Sequence, residues 1–362
     1  MYLSLKVYII VVSHIPITEI LTFTRYPTWR FCHEEVLGIV FCVLPGGLMF
    51  RRLTRSLGVC EGEWSRLLSM STLVFLLMVG WAFGRSGRDA FFIKEAGPDK
   101  LPYIYIIGSI LVVVSSPLYS MMVGRMSRHR MMLLQLAGAG IALVLLRMAI
   151  PFGFSAMPYI VFSLTDLIII ILFFMHFWTF ANDVFDPREG KRLFPLVGGF
   201  GLIGTIVGGI IVKPVVDVIG TVNLLVVWAA LLGSAIPVVL WVQAAVRSSN
   251  VASSGEADED ESEASGGFWG IMASVWEVPL LRILTYMAIP MWLTVGIVDY
   301  QFFLAMDEIF QDQDQLTGFL GIFNSFTSII SLLVQLFLTS RILKKLGVGS
   351  AVLIHPVSMT CG

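Results

Sequence analysis

Three ionisable residues sit within one apolar stretch, RSGRDAFFI: Arg85, Arg88 and Asp89. On a helix, steps of three and four residues return to the same face, so both guanidinium groups and the carboxylate share it. Two guanidinium groups placed this way can grip an oxyanion through charge-assisted, bidentate hydrogen bonds. The adjacent carboxylate can neutralise them when no anion is bound. Such a face lines a wet cavity. The alternative is an Arg–Asp pair at an interface, with the arginines reaching outward along their apolar stems. The apolar run Ala90, Phe91, Phe92, Ile93 that follows the charges favours the cavity.

Two further carboxylates lie deep in apolar sequence. Asp166 is followed by Leu-Ile-Ile-Ile-Ile, and Asp299 stands between WLTVGIV and YQFFLAM. A charge at the centre of a membrane helix costs about 2.5–3.5 kcal/mol or more, so each is a candidate functional residue. Asp166 is either protonated or facing a cation, with Arg88 the candidate partner; the alternative is a solvated residue at a helix end. Asp299 reads as the counterpart of Asp89 in a later helix. Arg147 and Arg282 read as reaching the interface. His176 reads either as a proton relay or as a hydrogen-bonded packing residue.

Covalent and metal chemistry have little to work with. No catalytic triad, HExxH or dinucleotide fingerprint occurs, and Cys32, Cys42, Cys60 and Cys361 have neither CxxC nor zinc-ligand spacing. The glycines at 198, 199, 201, 204, 208 and 209 lack the preceding strand and the Gly-Lys-Ser/Thr of a phosphate loop, and read as a close-packing helix face.

The elements that hold these residues are membrane helices. Mean hydropathy is +0.85 and charged residues make up 14% of the chain, too apolar for a soluble domain. Apolar stretches recur at 67–92, 101–124, 131–150, 157–182, 193–212, 222–246, 279–306 and 316–343, and a ninth begins near 348. Each can cross a hydrocarbon core about 30 Å thick. Basic residues gather before the first stretch (Arg51, Arg52, Arg55, Arg66), then at Arg125, Arg128 and Arg130, at Arg188, Lys191 and Arg192, and at Arg341, Lys344 and Lys345. The loops between are acidic or poor in positive charge, so the basic ones are assigned to the cytoplasm.

Residues 248–267 are rich in Ser, Gly and acidic side chains and read as a cytoplasmic linker. Residues 268–277 read as a short amphipathic helix on the membrane surface. The linker divides the chain into a first half of six helices (63–247) and the start of a second half (268–362), with 1–62 an atypical N-terminal extension. An internal echo supports duplication. Asp89 and Asp299 are each followed by a Phe-Phe pair, an acidic loop and a further helix with a basic end, at an offset of about 210 residues, as in parallel-repeat transporters. The chain stops inside the ninth helix and is expected to be a fragment.

The segment FWTFANDVFDPREGKRLFPLVGGFG, residues 177–201, resembles the ATP/ADP antiporter (nucleotide transporter) family of intracellular bacteria and plastids, and its broader bacterial relatives. RSGRDAFFI (85–93) and VDYQF (298–302) agree with it, and the resemblance covers residues 63–356. It implies a twelve-helix, major-facilitator-like fold around a central cavity. It also implies roles for particular residues. The family's helix 1 basic residue before an Asp matches Arg88, with Asp89 next. Its helix 4 acidic residue, eleven positions before the Phe-Trp pair, matches Asp166, and its helix 7 acidic residue matches Asp299. Where family members often place a basic residue four positions later, this chain has Phe303.

The expectation is therefore an all-α polytopic membrane protein of two major-facilitator-like halves, the second truncated. It would be a monomeric carrier in the inner cell membrane, moving a small anionic, phosphate-bearing molecule by alternating access, with a nucleotide the first candidate. Arg85 and Arg88 would attract the anion; Asp89, Asp166 and Asp299 would complete the site. No cofactor or metal is expected, no bond is made, and the net charge of -1 gives no sign of a nucleic-acid polymer as partner. One alternative is a same-fold carrier of another organic anion, proton-coupled through Asp166. The other is a membrane module that senses or anchors a partner without transport.

Overall fold

The computed structural model describes residues 63–123, 126–252 and 279–335, and among them all regular structure is helical. Eight long helices follow one another: α1 (Trp64–Ala96), α2 (Leu101–Val123), α3 (Arg128–Ala149), α4 (Met157–Val184), α5 (Pro187–Ile219), α6 (Leu224–Ala252), α7 (Pro279–Ile309) and α8 (Gln313–Leu333). Each contains a stretch long and apolar enough to span a bilayer, and the chain is a multi-pass membrane protein. The expected N-terminal extension, linker residues 253–267, the amphipathic stretch 268–277 and the ninth helix lie outside the described residues, as do Arg125, Arg341, Lys344 and Lys345.

The helices run longer than hydropathy alone indicates, most of all α5. Its first turns hold Arg188, Lys191 and Arg192, which read from sequence as a loop. The cause is local. Asp186 and Glu189 form a capping box and Pro187 occupies the first helical turn, a start signal that does not depend on hydropathy. At the other end α5 passes through Pro214 and stops at Gly220, whose φ of 79° suits a residue without a Cβ. Likewise α6 continues to Ala252, through the first residues of the expected linker.

Helix α4 is irregular in its middle. Residues Ile170–Phe177 form a π-helix between two α-helical pieces, Met157–Ile169 and Trp178–Val184. Such insertions inside α-helices concentrate at functional sites.

Helix α1 is the centre of the packing. It is buried along most of its length and touches α4, α5, α6 and α8. In lipid, association rests on close packing of small residues, and α1 and α5 supply them. A methyl added at Gly204 would lie 2.6 Å from the carbonyl oxygen of Phe75, and one at Gly208 would lie 2.9 Å from the Ala82 methyl. On the opposite face of α5, Gly209 meets Gly321 of α8, and Ser325 donates from Oγ to the Ile206 carbonyl at 2.9 Å. Trp228 of α6 lies flat over Gly80 and Gly84 of α1. Outward-facing Ile106, Ile110, Val113, Ile141 and Leu145 of α2 and α3 are exposed, as a lipid-facing surface requires.

Ion pairs tie down the start of α1. Arg66 holds Glu189 of α5 through two bonds of 3.0 and 2.8 Å and also donates to the Val184 carbonyl at 3.1 Å. Arg192 bonds Glu63 at 2.6 Å. Arg147 donates to Asn223 at 2.7 Å in the turn between α5 and α6.

Candidate functional site

Arg85, Arg88 and Asp89 lie on one face of α1, as their spacing requires. The Asp89 carboxylate is shared: Arg88 Nε lies 3.1 Å from one oxygen and Arg85 Nε 3.5 Å from the other. Arg88 then reaches across to α4, where its terminal nitrogen is 2.6 Å from an oxygen of Asp166. One guanidinium thus bridges a carboxylate on its own helix and one on a neighbour.

The surroundings are apolar and aromatic. The Arg88 guanidinium sits over the Phe162 ring at 4.4 Å, and Arg85 lies 5.5 Å from the Trp81 ring centre. Each is a favourable cation–π placement. The Asp89 and Arg88 side chains are 6% and 10% exposed, whereas Asp166 is 30% exposed. Asp166 is thus the most exposed member of the cluster, ahead of Arg85 at 18%. Beside Arg88, between α1, α4 and α6, is a gap of only about 10 Å³, room for about one water.

Phe92 of α1, Tyr159 and Phe162 of α4 and Phe303 of α7 join in one cluster toward the Ala96 end of α1. Asp89 lies three residues before Phe92, and half-buried Asp299 lies four residues before Phe303. The helices containing these two carboxylates thus meet at the same aromatic layer. Phe303 is 3% exposed and packs among apolar neighbours. A cation there would have to displace that packing.

Beyond the aromatic layer lies a contact with no local signal in the sequence. Lys94, at the end of α1, pairs with Asp307 of α7 at 2.5 Å and also donates to its backbone carbonyl. Alongside, Asp314 of α8 accepts the backbone N–H of Thr221 at 2.8 Å and its hydroxyl at 2.6 Å. Lys94 and Asp307 are 213 positions apart in the chain. Their pairing follows only from the packing of α1 beside α7.

Among the described residues no group of His, Cys, Asp and Glu forms a metal-binding cluster, and the buried carboxylate of Asp89 is matched by arginines. The model of the family described as TLC ATP/ADP transporter matches residues 145–362, more than half of the chain. The chain belongs to that family. No curated protein and no solved structure gives a significant match. The TLC match includes Asp166 and Asp299, whereas Arg85, Arg88 and Asp89 precede it. The bond from Arg88 to Asp166 joins α1 to the matched region.

Proposed function

We propose that this TLC-family protein is an inner-membrane carrier that moves a small anionic, phosphate-bearing molecule by alternating access, with a nucleotide the first candidate. The observation that carries this is Arg88 held between Asp89 and Asp166 in an apolar bundle. In the empty state the carboxylates neutralise the arginine. An arriving phosphate oxyanion exchanges for Asp166, the more exposed partner, and Arg85 adds a second guanidinium on the same face. Asp299 lies on the helix across the aromatic layer and would contribute from the second half. No bond is made or broken, so the activity is transport and not catalysis. A major-facilitator-like pair of halves, joined by 248–267, accounts for the sequence echo and for α7 and α8 packing beside α1 and α5. One such pair forms one pathway, so a monomer suffices.

The test is uptake of labelled nucleotides and simpler phosphate esters by the complete protein in proteoliposomes. Saturable uptake of a phosphate-bearing compound, competed by its unlabelled form, supports the assignment. Uptake confined to anions without phosphate overturns it in favour of another organic anion.

Topology gives a second expected result. A cysteine introduced at Ser253 reacts with an impermeant maleimide only from the cytoplasmic side, because the basic helix ends fix the first half's orientation. Labelling from outside intact cells would reverse the orientation.

The Lys94–Asp307 pair then closes the outer side between α1 and α7. Replacing Lys94 with Asp or Asp307 with Lys should each slow transport several-fold, since a like pair replaces an attractive one in a partly buried position. The exchanged double variant should recover most of the rate. Failure of the exchange to rescue would show that the two residues act separately.

A further inference from the structure

The carrier reading leaves unused a fully buried histidine. His176 is 0% exposed and belongs to the π-helical stretch of α4. Its Nε2 lies 3.0 Å from the backbone carbonyl oxygen of Arg128 at the start of α3. Its Nδ1 lies 3.0 Å from the hydroxyl of Tyr119 on α2. The ring therefore ties three helices together at one point.

The partners have different capacities. A carbonyl oxygen only accepts, so Nε2 holds a proton in either charge state of the ring. A tyrosine hydroxyl both donates and accepts. The Tyr119 hydroxyl is also 3.3 Å from the Met175 carbonyl oxygen. Two complete networks follow. With the ring neutral, Tyr119 donates to Nδ1. With the ring protonated, Nδ1–H donates to the Tyr119 oxygen, and the hydroxyl proton turns to Met175. That carbonyl already accepts the Thr179 hydroxyl at 2.6 Å, and its two lone pairs accommodate both donors. Uptake of a proton reverses one hydrogen bond and adds another, and leaves no buried group without a partner. A histidine that only fills space has no need of an alternative acceptor beyond its partner.

The charged groups nearby form an ion pair with each other. The Arg128 guanidinium lies 2.7 Å from the Asp183 carboxylate, two turns further along α4, and 3.5 Å from the Thr179 carbonyl. On α3, His129 meets Gln243 of α6 at 3.2 Å. On α2 the group facing the ring is Tyr119, and on α4 Phe180 stacks parallel to it at 6.5 Å. An added positive charge meets the Arg128–Asp183 ion pair, whose arginine end opposes it, and an aromatic face.

We propose that His176, with Tyr119 and the carbonyls of Arg128 and Met175, forms a proton-binding site within α4. Its ligand is H⁺ whatever the cargo, so it stands or falls independently of the substrate assignment. The π-helix links this site to Asp166: it begins at Ile170, whose N–H bonds the carbonyls of Asp166 and Leu167. Protonation adds a tie from α2 to the Met175 carbonyl within that same stretch, and so acts on the segment that presents Asp166 to Arg88.

The experiment is solid-state NMR on the full chain in liposomes, labelled with ¹³C at the Met carbonyl and with ¹³C and ¹⁵N throughout His. Met175–His176 is the one Met-His step among the five histidines, so the ring is assigned without mutation. The expected result is an Nε2–H tautomer at high pH and uptake of a proton at Nδ1 between about pH 5 and 8, the range of histidine switches. The Met175 carbonyl shift should move with the same midpoint, and in Tyr119→Phe it should lose its pH dependence. A ring that stays neutral throughout, an Nδ1–H tautomer, or a Met175 carbonyl indifferent to pH in the unaltered protein would each overturn the proposal. All three readouts in the unaltered protein remain decisive if Tyr119→Phe does not fold.

Discussion

Replacing Arg88 with alanine should abolish uptake by the full-length carrier. Two charge-assisted bonds to a phosphate contribute about 1.5–3 kcal/mol each, so their loss corresponds to a roughly 10²- to 10⁴-fold fall in affinity. A second effect has the same sign. Without Arg88, the carboxylate of Asp89 keeps only Arg85 at 3.5 Å, and Asp166 loses its 2.6 Å partner. Removing one member of a buried pair costs about 3–5 kcal/mol, because the charge left behind is uncompensated. Arg88→Lys separates the two effects. Lysine keeps the charge and can pair with one carboxylate, but a point charge cannot bridge Asp89 and Asp166 while presenting a planar fork to phosphate. It should fold normally and transport poorly. Asp166→Asn should also fold, since asparagine still accepts a bond from Arg88, while the arginine loses the charged partner that it exchanges for substrate. Initial rates in proteoliposomes, with protein amount checked by blotting, are the measurement. Normal uptake by Arg88→Ala would remove Arg88 from the site.

The sequence made the cluster legible because its constraints are local or steep. Arg85, Arg88 and Asp89 share a face by helix geometry alone. An isolated charge in hydrocarbon is so costly that Asp166 had to be protonated, paired or at a wet helix end, and of these the structure shows the pair with Arg88. Eight spans were likewise visible in hydropathy. Helix ends were less so. A capping box and a first-turn proline start α5 before its apolar stretch, the helix runs on through Pro214 to Ile219, and the basic residues read as a loop form its first turns. Apart from the pairing of Arg88 with Asp166, contacts between distant helices were not legible. Lys94 and Asp307 are individually unremarkable charges near helix termini, and only the docking of α7 beside α1 makes them a pair. The π-helix at Ile170–Phe177 was hidden for a different reason: its residues read as part of one continuous span, and nothing in their spacing marks the wider turn.

Gly209→Leu should separate α5 from α8 and inactivate the protein. A Cβ built at Gly209 lies 2.5 Å from the Gly321 carbonyl oxygen and collides with the Ser325 hydroxyl; one built at Gly321 lies 2.7 Å from the Gly209 carbonyl oxygen. The obstacle on each side is backbone, which cannot swing aside as the end of a side chain can. The helices must therefore move apart, and the Ser325 bond to the Ile206 carbonyl at 2.9 Å goes with them. Overpacking a tight interior typically costs about 1–3 kcal/mol, and a side chain driven against the α8 backbone belongs at or above the upper end. In lipid no hydrophobic effect holds helices together, so lost packing is not offset by burial elsewhere. Gly233→Leu on α6 is the control, because a Cβ there meets nothing within 4 Å. The expected outcome is a clear fall in thermal unfolding temperature in detergent and loss of transport for Gly209→Leu, with both close to normal for Gly233→Leu. Equal behaviour of the two variants would mean that α5 and α8 do not pack this closely in the membrane.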